Sequence, residues 1–124
     1  MHALPNLSGK RILYADDEAD GREIISLGLG TCGVQVTQTS DGQTALDLYA
    51  SGKFDVVLTD YSMPGLKGDE LARQIKALHP TQRVVMLTGF GDNLLQGGQC
   101  PPYLDALINK PCSLNALIAA LFPA

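Results

Sequence analysis

The 124-residue sequence predicts a single α/β domain, a parallel five-stranded sheet between two helical layers, with its core over about residues 10–122. Two observations predict it. Short aliphatic or β-branched runs with turn residues around them read as buried strands, and they alternate with stretches of helical periodicity along the chain. Strict alternation implies βαβ crossovers, hence parallel strands covered on both faces. A third observation places a site on that fold. Ile12–Ala15 delivers Asp16, Asp17 and Glu18; Val56–Thr59 delivers Asp60; Val84–Leu87 delivers Thr88; Ala106–Asn109 delivers Lys110 and Pro111. Ligands bind outside the carboxyl ends of parallel strands, so carboxylates, a hydroxyl and a cation meet on one rim.

The elements follow in order. After the first strand, Glu18 to about Leu29 reads as a helix with Ala19, Ile24, Ile25 and Leu27 available for burial, closing near Gly28, Gly30 and Gly33. Val34–Thr37 alternates apolar and polar, a second strand. Ser40-Asp41-Gly42 is a turn and cap signal, and Ala45, Leu46, Leu48 and Tyr49 follow at helical spacing. The third strand leads into the loop Tyr61–Gly68, and then Asp69–Leu78 forms a helix with Leu71, Ile75 and Leu78 on one stripe. Pro80 stops it, because the residue before proline is pushed out of helical dihedrals. Beyond the fourth strand, Asp92 can cap a short helix over Asn93–Gln96, while Gly97, Gly98, Pro101 and Pro102 oppose its continuation. Ser113 caps a last helix over Leu114–Phe122.

Composition narrows the function classes. A net charge of −4, with basic residues scattered rather than clustered, leaves no electrostatic footprint for direct nucleic-acid binding. Cys32, Cys100 and Cys112 are odd in number and far apart, without C-x-x-C spacing, so neither zinc nor a disulfide framework is indicated. No apolar leader and no long apolar stretch occur, so the chain reads as cytoplasmic and without membrane contact.

Gly28-Leu29-Gly30-Thr31-Cys32-Gly33 fits G-x-G-x-x-G. A dinucleotide fingerprint needs those glycines after a strand and opening a helix; here they follow a helix and precede a strand, so they read as a turn. The acidic rim carries the sharper chemistry. Carboxylates crowded together repel one another, and burial makes this worse. A divalent cation relieves the cost, and a few hard oxygen ligands suit Mg²⁺. Between Val84 and Ala124, Lys110 is the sole Lys or Arg, so a cation at that rim is not a generic solubility residue. Metal, lysine, hydroxyl and a spare carboxylate together suit phosphoryl transfer, in which a carboxylate can itself be the nucleophile.

In order and spacing, the set Arg11–Glu18, Asp55–Gly65, Leu87-Thr88-Gly89 and Asn109-Lys110-Pro111 resembles the receiver domain of two-component response regulators, over the whole chain. That resemblance implies a flavodoxin-like doubly wound (βα)5 three-layer sandwich of strand order 2-1-3-4-5. It implies that Asp60 accepts a phosphoryl group from a histidine kinase, a phosphotransfer protein or a small phosphodonor. Asp17, Asp60 and the Ser62 backbone carbonyl would ligate Mg²⁺, with Asp16 acting through water. Lys110 would pair with the phosphoryl oxygens, Thr88 would swing toward them, and Pro111 would follow a cis bond that aims Lys110 inward. Gly65 and Gly68 would let the loop after Asp60 turn tightly.

The sequence also departs from that family. Its members usually carry Tyr or Phe three residues before the lysine, where this chain has Leu107, so the usual aromatic relay is missing. A short or mobile helix is expected between the fourth and fifth strands. The last helix has no charge outside its stripe of Leu114, Leu117, Ile118 and Leu121, which marks it either as a surface for self-association or as a plain apolar face.

The leading reading is a phosphorylation-driven signalling switch rather than a metabolic enzyme. A docking module of the same fold that acts without phosphorylation is the alternative. A phosphohydrolase of the haloacid dehalogenase type would need a carboxylate two residues after the nucleophile, where Ser62 stands. No output domain fits the 124 residues, which leaves a stand-alone receiver and a portion of a hybrid kinase or longer regulator both open.

Overall fold

The computed structural model of the chain describes residues 5–89 and 100–123. Its strands are β1 (Arg11–Ala15), β2 (Gln35–Thr39), β3 (Val56–Asp60), β4 (Arg83–Thr88) and β5 (Ala106–Asn109). Four helices occur among the described residues: α1 (Ala19–Thr31), α2 (Gly42–Ser51), α3 (Gly68–Leu78) and α4 (Leu114–Leu121). All pairings are parallel and the order is β2-β1-β3-β4-β5. The expected doubly wound sheet of order 2-1-3-4-5 is therefore present. The helix expected over Asn93–Gln96 lies outside the described residues.

Side-chain alternation along the strands divides the core in two. Ile12, Tyr14, Val56, Leu58, Val85 and Leu87 face one layer with Leu29 of α1 and Leu117, Ile118 and Leu121 of α4. Leu13, Ala15, Val57, Val84 and Met86 face the other, with Ala45 and Tyr49 of α2 and Leu71, Ala72 and Ile75 of α3. The central strand β3 is buried at all five positions, Asp60 included. Continuous apolar runs in the middle strands are what a sheet covered on both faces requires.

Local chemistry explains the helix ends. The Asp41 carboxylate accepts from the Thr44 N–H at 2.7 Å, and the Ser113 hydroxyl from Ala116 N–H at 3.0 Å, so α2 and α4 begin on side-chain caps. The helix α3 carries Asp69 and Glu70 in its first turn and Lys76 in its last, matching the helix dipole.

Three expectations are corrected. Ile24 and Leu27 are 69% and 65% exposed, because the buried stripe of α1 runs through Ile25, Leu29 and Cys32, and residues 24 and 27 lie off that stripe at 3.6 residues per turn. Leu78, placed on the α3 stripe with Leu71 and Ile75, is 58% exposed, and Ala72 takes the inward place instead. Gly28 and Gly30 do not end α1, which runs on to Thr31 before the chain turns at Gly33 with φ 93°. The absent side chain at Gly28 leaves room for Leu114, since a Cβ there would sit 3.2 Å from its Cδ1, so α1 and α4 approach closely.

Candidate functional site at the carboxyl rim of the sheet

The parallel register brings β1, β3, β4 and β5 to a common rim. Asp60 closes β3 opposite Leu87, and Thr88 closes β4 opposite Asn109. The Asp16 N–H donates to Thr39 O at 3.0 Å, and the Lys110 N–H to Thr88 O at 2.8 Å, so the sheet pairing reaches the candidate residues themselves. Oxygen atoms of Asp16, Asp17 and Asp60 lie within 4.8 Å of one another. Asp16 and Asp60 are buried, while Asp17 is exposed and opens the cluster to solvent.

Lys110 joins the two buried acids. Its Nζ lies 3.2 Å from Asp16 Oδ2 and 3.5 Å from Asp60 Oδ2. Asp60 Oδ1 accepts the Tyr61 N–H at 2.8 Å. Burial, and then the neighbouring Asp16 charge, push the Asp60 carboxyl up to about 6, against the opposing pull of Lys110 and the Tyr61 N–H. Burial alone would lower the Lys110 ammonium, but Asp16 and Asp60 outweigh it and hold it above its ordinary value. Two buried carboxylates sharing one cation leave uncompensated negative charge. That donor set of close, hard carboxylate oxygens, with one acid open to water, fits a small divalent cation such as Mg²⁺.

The backbone around Asp60 is built to be close. The Thr59 hydroxyl donates to Asp60 O at 2.9 Å, and the Gly68 N–H to Tyr61 O at 2.9 Å. A Cβ on Gly68 would collide with the Asp60 carbonyl, so only glycine lets α3 start there. Gly65 turns the intervening loop with φ 73°. Ser62 is exposed in that loop, while Met63 is buried in the α2–α3 core layer.

The remaining candidate residues are distributed as follows. Thr88 is buried at the rim, 4% exposed. Leu107 lies opposite Met86 on β5 and packs against the α2–α3 layer. The Lys110–Pro111 peptide is cis. Beside Lys110, an apolar groove runs between the start of α1 and the chain after β5, lined by Asp16, Ile24, Ile25, Leu87, Pro111 and Cys112.

Two residues absent from the sequence reading complete the site. The Tyr14 hydroxyl donates to Asp16 Oδ2 at 2.9 Å, and Arg22 Nη1 donates to Asp16 O at 2.6 Å. Burial, and then Asp16, push the Tyr14 phenol far up, so it stays a donor at neutral pH. Tyr14 and Asp16 share strand parity, a signal present in the sequence; Arg22 needs the angle of α1 against β1 and has none.

The family model described as "Response regulator receiver domain" matches residues 12–122. The chain is 38% identical over 117 residues to the phosphate regulon transcriptional regulatory protein PhoB of Pseudomonas aeruginosa, covering 91% of this chain and 50% of that protein, so it spans half of that relative's length. It is 32% identical over 109 residues to the response regulator receiver protein CpdR of Brucella abortus, covering 88% of this chain and 91% of that protein. Among solved structures, the response regulator TrrA of Thermotoga maritima, in complex with Mg²⁺ and BeF, superposes with a TM-score of 0.79 at 29% identity, covering 87% of this chain and 92% of that one.

Proposed function

The chain belongs to the response regulator receiver domain family, and from that membership we propose that Asp60 is the phosphoacceptor of a two-component phosphorelay. The observation that carries this reading is the single Lys110 ammonium between the buried Asp16 and Asp60, beside the open Asp17. Asp17, Asp60 and the Ser62 carbonyl would hold Mg²⁺, with Asp16 acting through water, and the ion would supply neutralisation of charge on the phosphoryl oxygens.

An Asp60 carboxylate oxygen forms the new bond to phosphorus as the bond from phosphorus to the donor breaks. The electron pair of that bond leaves with the donor, an imidazole nitrogen or a small acid. Lys110 then pairs with the phosphoryl oxygens and Thr88 donates its hydroxyl to them. The chain does this chemistry on itself, as a single cytoplasmic signalling domain rather than a metabolic enzyme. The added charge of about −1.5 to −2 biases the surrounding loops between two arrangements.

The partner is a histidine kinase or a phosphotransfer protein. The exposed Ile24 and Leu27, with the groove between α1 and Pro111, are apolar surface beside the reacting carboxylate and suit the flank of such a donor. Self-association through α4, whose exposed Asn115, Ala116 and Ala119 carry no charge, is read by sedimentation with and without a phosphoryl analogue.

Incubation with acetyl phosphate and Mg²⁺, followed by intact-mass measurement, tests the reading. One phosphoryl group is expected on the unmutated chain, and none on Asp60→Asn or in EDTA. An unmutated chain that gains no mass supports a docking module instead. Rapid release of phosphate from many unrelated monoesters supports a hydrolase.

A further inference from the structure

Asp16 is wholly buried and its carboxylate accepts from three donors: the Glu18 N–H on Oδ1 at 2.9 Å, and Tyr14 and Lys110 together on Oδ2 at 2.9 and 3.2 Å. Lys110 is shared, since it also lies 3.5 Å from Asp60 Oδ2. A phosphoryl group on Asp60 brings oxygens that compete for that one ammonium, and charge-assisted contacts to them are the stronger ones. As Lys110 turns toward them, the wholly buried Asp16 Oδ2 loses one of its two donors. A buried acceptor left bare is costly, which would hold Lys110 back. Tyr14 changes that balance. Its ring is fixed in the core layer shared by α1 and α4, so its hydroxyl cannot follow Lys110 and stays on Asp16.

We infer that Tyr14 is a positioning residue of the phosphorylation site: its hydroxyl keeps the buried Asp16 carboxylate satisfied while Lys110 transfers to the group on Asp60. The inference rests on the phosphoacceptor reading, and it concerns a residue that touches neither the metal nor the phosphoryl group. The role is specific to the hydroxyl. Phenylalanine keeps the packing and removes only the donor.

Fluoroberyllate, a phosphoryl mimic, provides the test. Its affinity for Mg²⁺-saturated protein is measured by ¹⁹F NMR for the unmutated chain, Tyr14→Phe, Asp16→Asn and the double variant, with the Mg²⁺ affinity of each measured separately by calorimetry. Tyr14→Phe is expected to weaken fluoroberyllate binding about tenfold, the worth of one hydrogen bond to a charged acceptor, while Mg²⁺ affinity moves less than threefold. In the Asp16→Asn background the same step is expected to change binding less than twofold. A Tyr14→Phe affinity within twofold of the unmutated chain, an equal loss in both backgrounds, or a parallel loss of Mg²⁺ affinity overturns the inference while leaving the phosphoacceptor reading intact. Failure of the unmutated chain to bind fluoroberyllate overturns that reading and this inference together. If Tyr14→Phe does not fold, the ¹³Cζ shift of Tyr14 in the unmutated chain decides: it stays at its hydrogen-bonded value on fluoroberyllate binding, and a move to the free-phenol value overturns the inference.

Discussion

Replacing Asp60 by asparagine is expected to stabilise this chain in the absence of divalent cation, by an amount set by the buried charge. Asp60 is 8% exposed, and burial followed by the Asp16 charge raises its carboxyl from 3.8 to about 6. At about 1.4 kcal/mol for each tenfold change in acidity, that rise makes ionised Asp60 cost about 3 kcal/mol at neutral pH. The sign follows from proton binding. The folded chain holds this proton more tightly than the unfolded chain, so the stability it contributes is complete below pH 3.8 and lost as pH rises through about 6. Asparagine removes the charge and keeps an oxygen for the Tyr61 N–H, and the lost attraction of Lys110 is already contained in the net rise to about 6. A net stabilisation of about 3 kcal/mol is expected at pH 7.5 in EDTA, falling to about 1 kcal/mol at pH 4.5. Urea unfolding followed by circular dichroism, with an unchanged m-value, measures both differences. Millimolar Mg²⁺ should then stabilise the unmutated chain and not the variant, closing the gap from the other side. A variant less stable than the unmutated chain at pH 7.5, or a difference that ignores pH, refutes the reasoning.

Other substitutions probe the same architecture. Lys110→Ala leaves Asp16 and Asp60 facing each other without their cation and should destabilise by about 2–4 kcal/mol, more at pH 8 than at pH 5 because Asp60 is then ionised; urea midpoints at the two pH values check this. Gly68→Ala drives a Cβ into the Asp60 carbonyl, so a loss of about 2 kcal/mol or more is expected, together with loss of acetyl phosphate labelling in the folded fraction. The pair Ile24→Ser and Leu27→Ser removes exposed apolar surface only. Stability should stay within about 0.5 kcal/mol and labelling by acetyl phosphate unchanged, while transfer from a cognate phosphohistidine protein, followed by mass spectrometry, should slow.

Much of this molecule is local and therefore legible in one dimension. Runs such as Val56–Asp60 and Val84–Thr88, short, β-branched and flanked by turn residues, read as buried strands, and each strand end names its rim residue. Parallel strands then follow from alternation, their order from the resemblance to receiver domains, and the acidic cluster from strands that all end at the same edge. Tertiary structure decided what depends on distance between remote residues. Which face of α1 is buried was set by its docking on β2 and against α4, so Ile25 and Leu29 went in while Ile24 and Leu27, equally apolar, stayed out. That one lysine is shared by two buried acids, and that Arg22 and Tyr14 close around Asp16, are matters of ångströms across separate elements. Periodicity assigns a residue to a face of its own element. Only packing assigns it a partner.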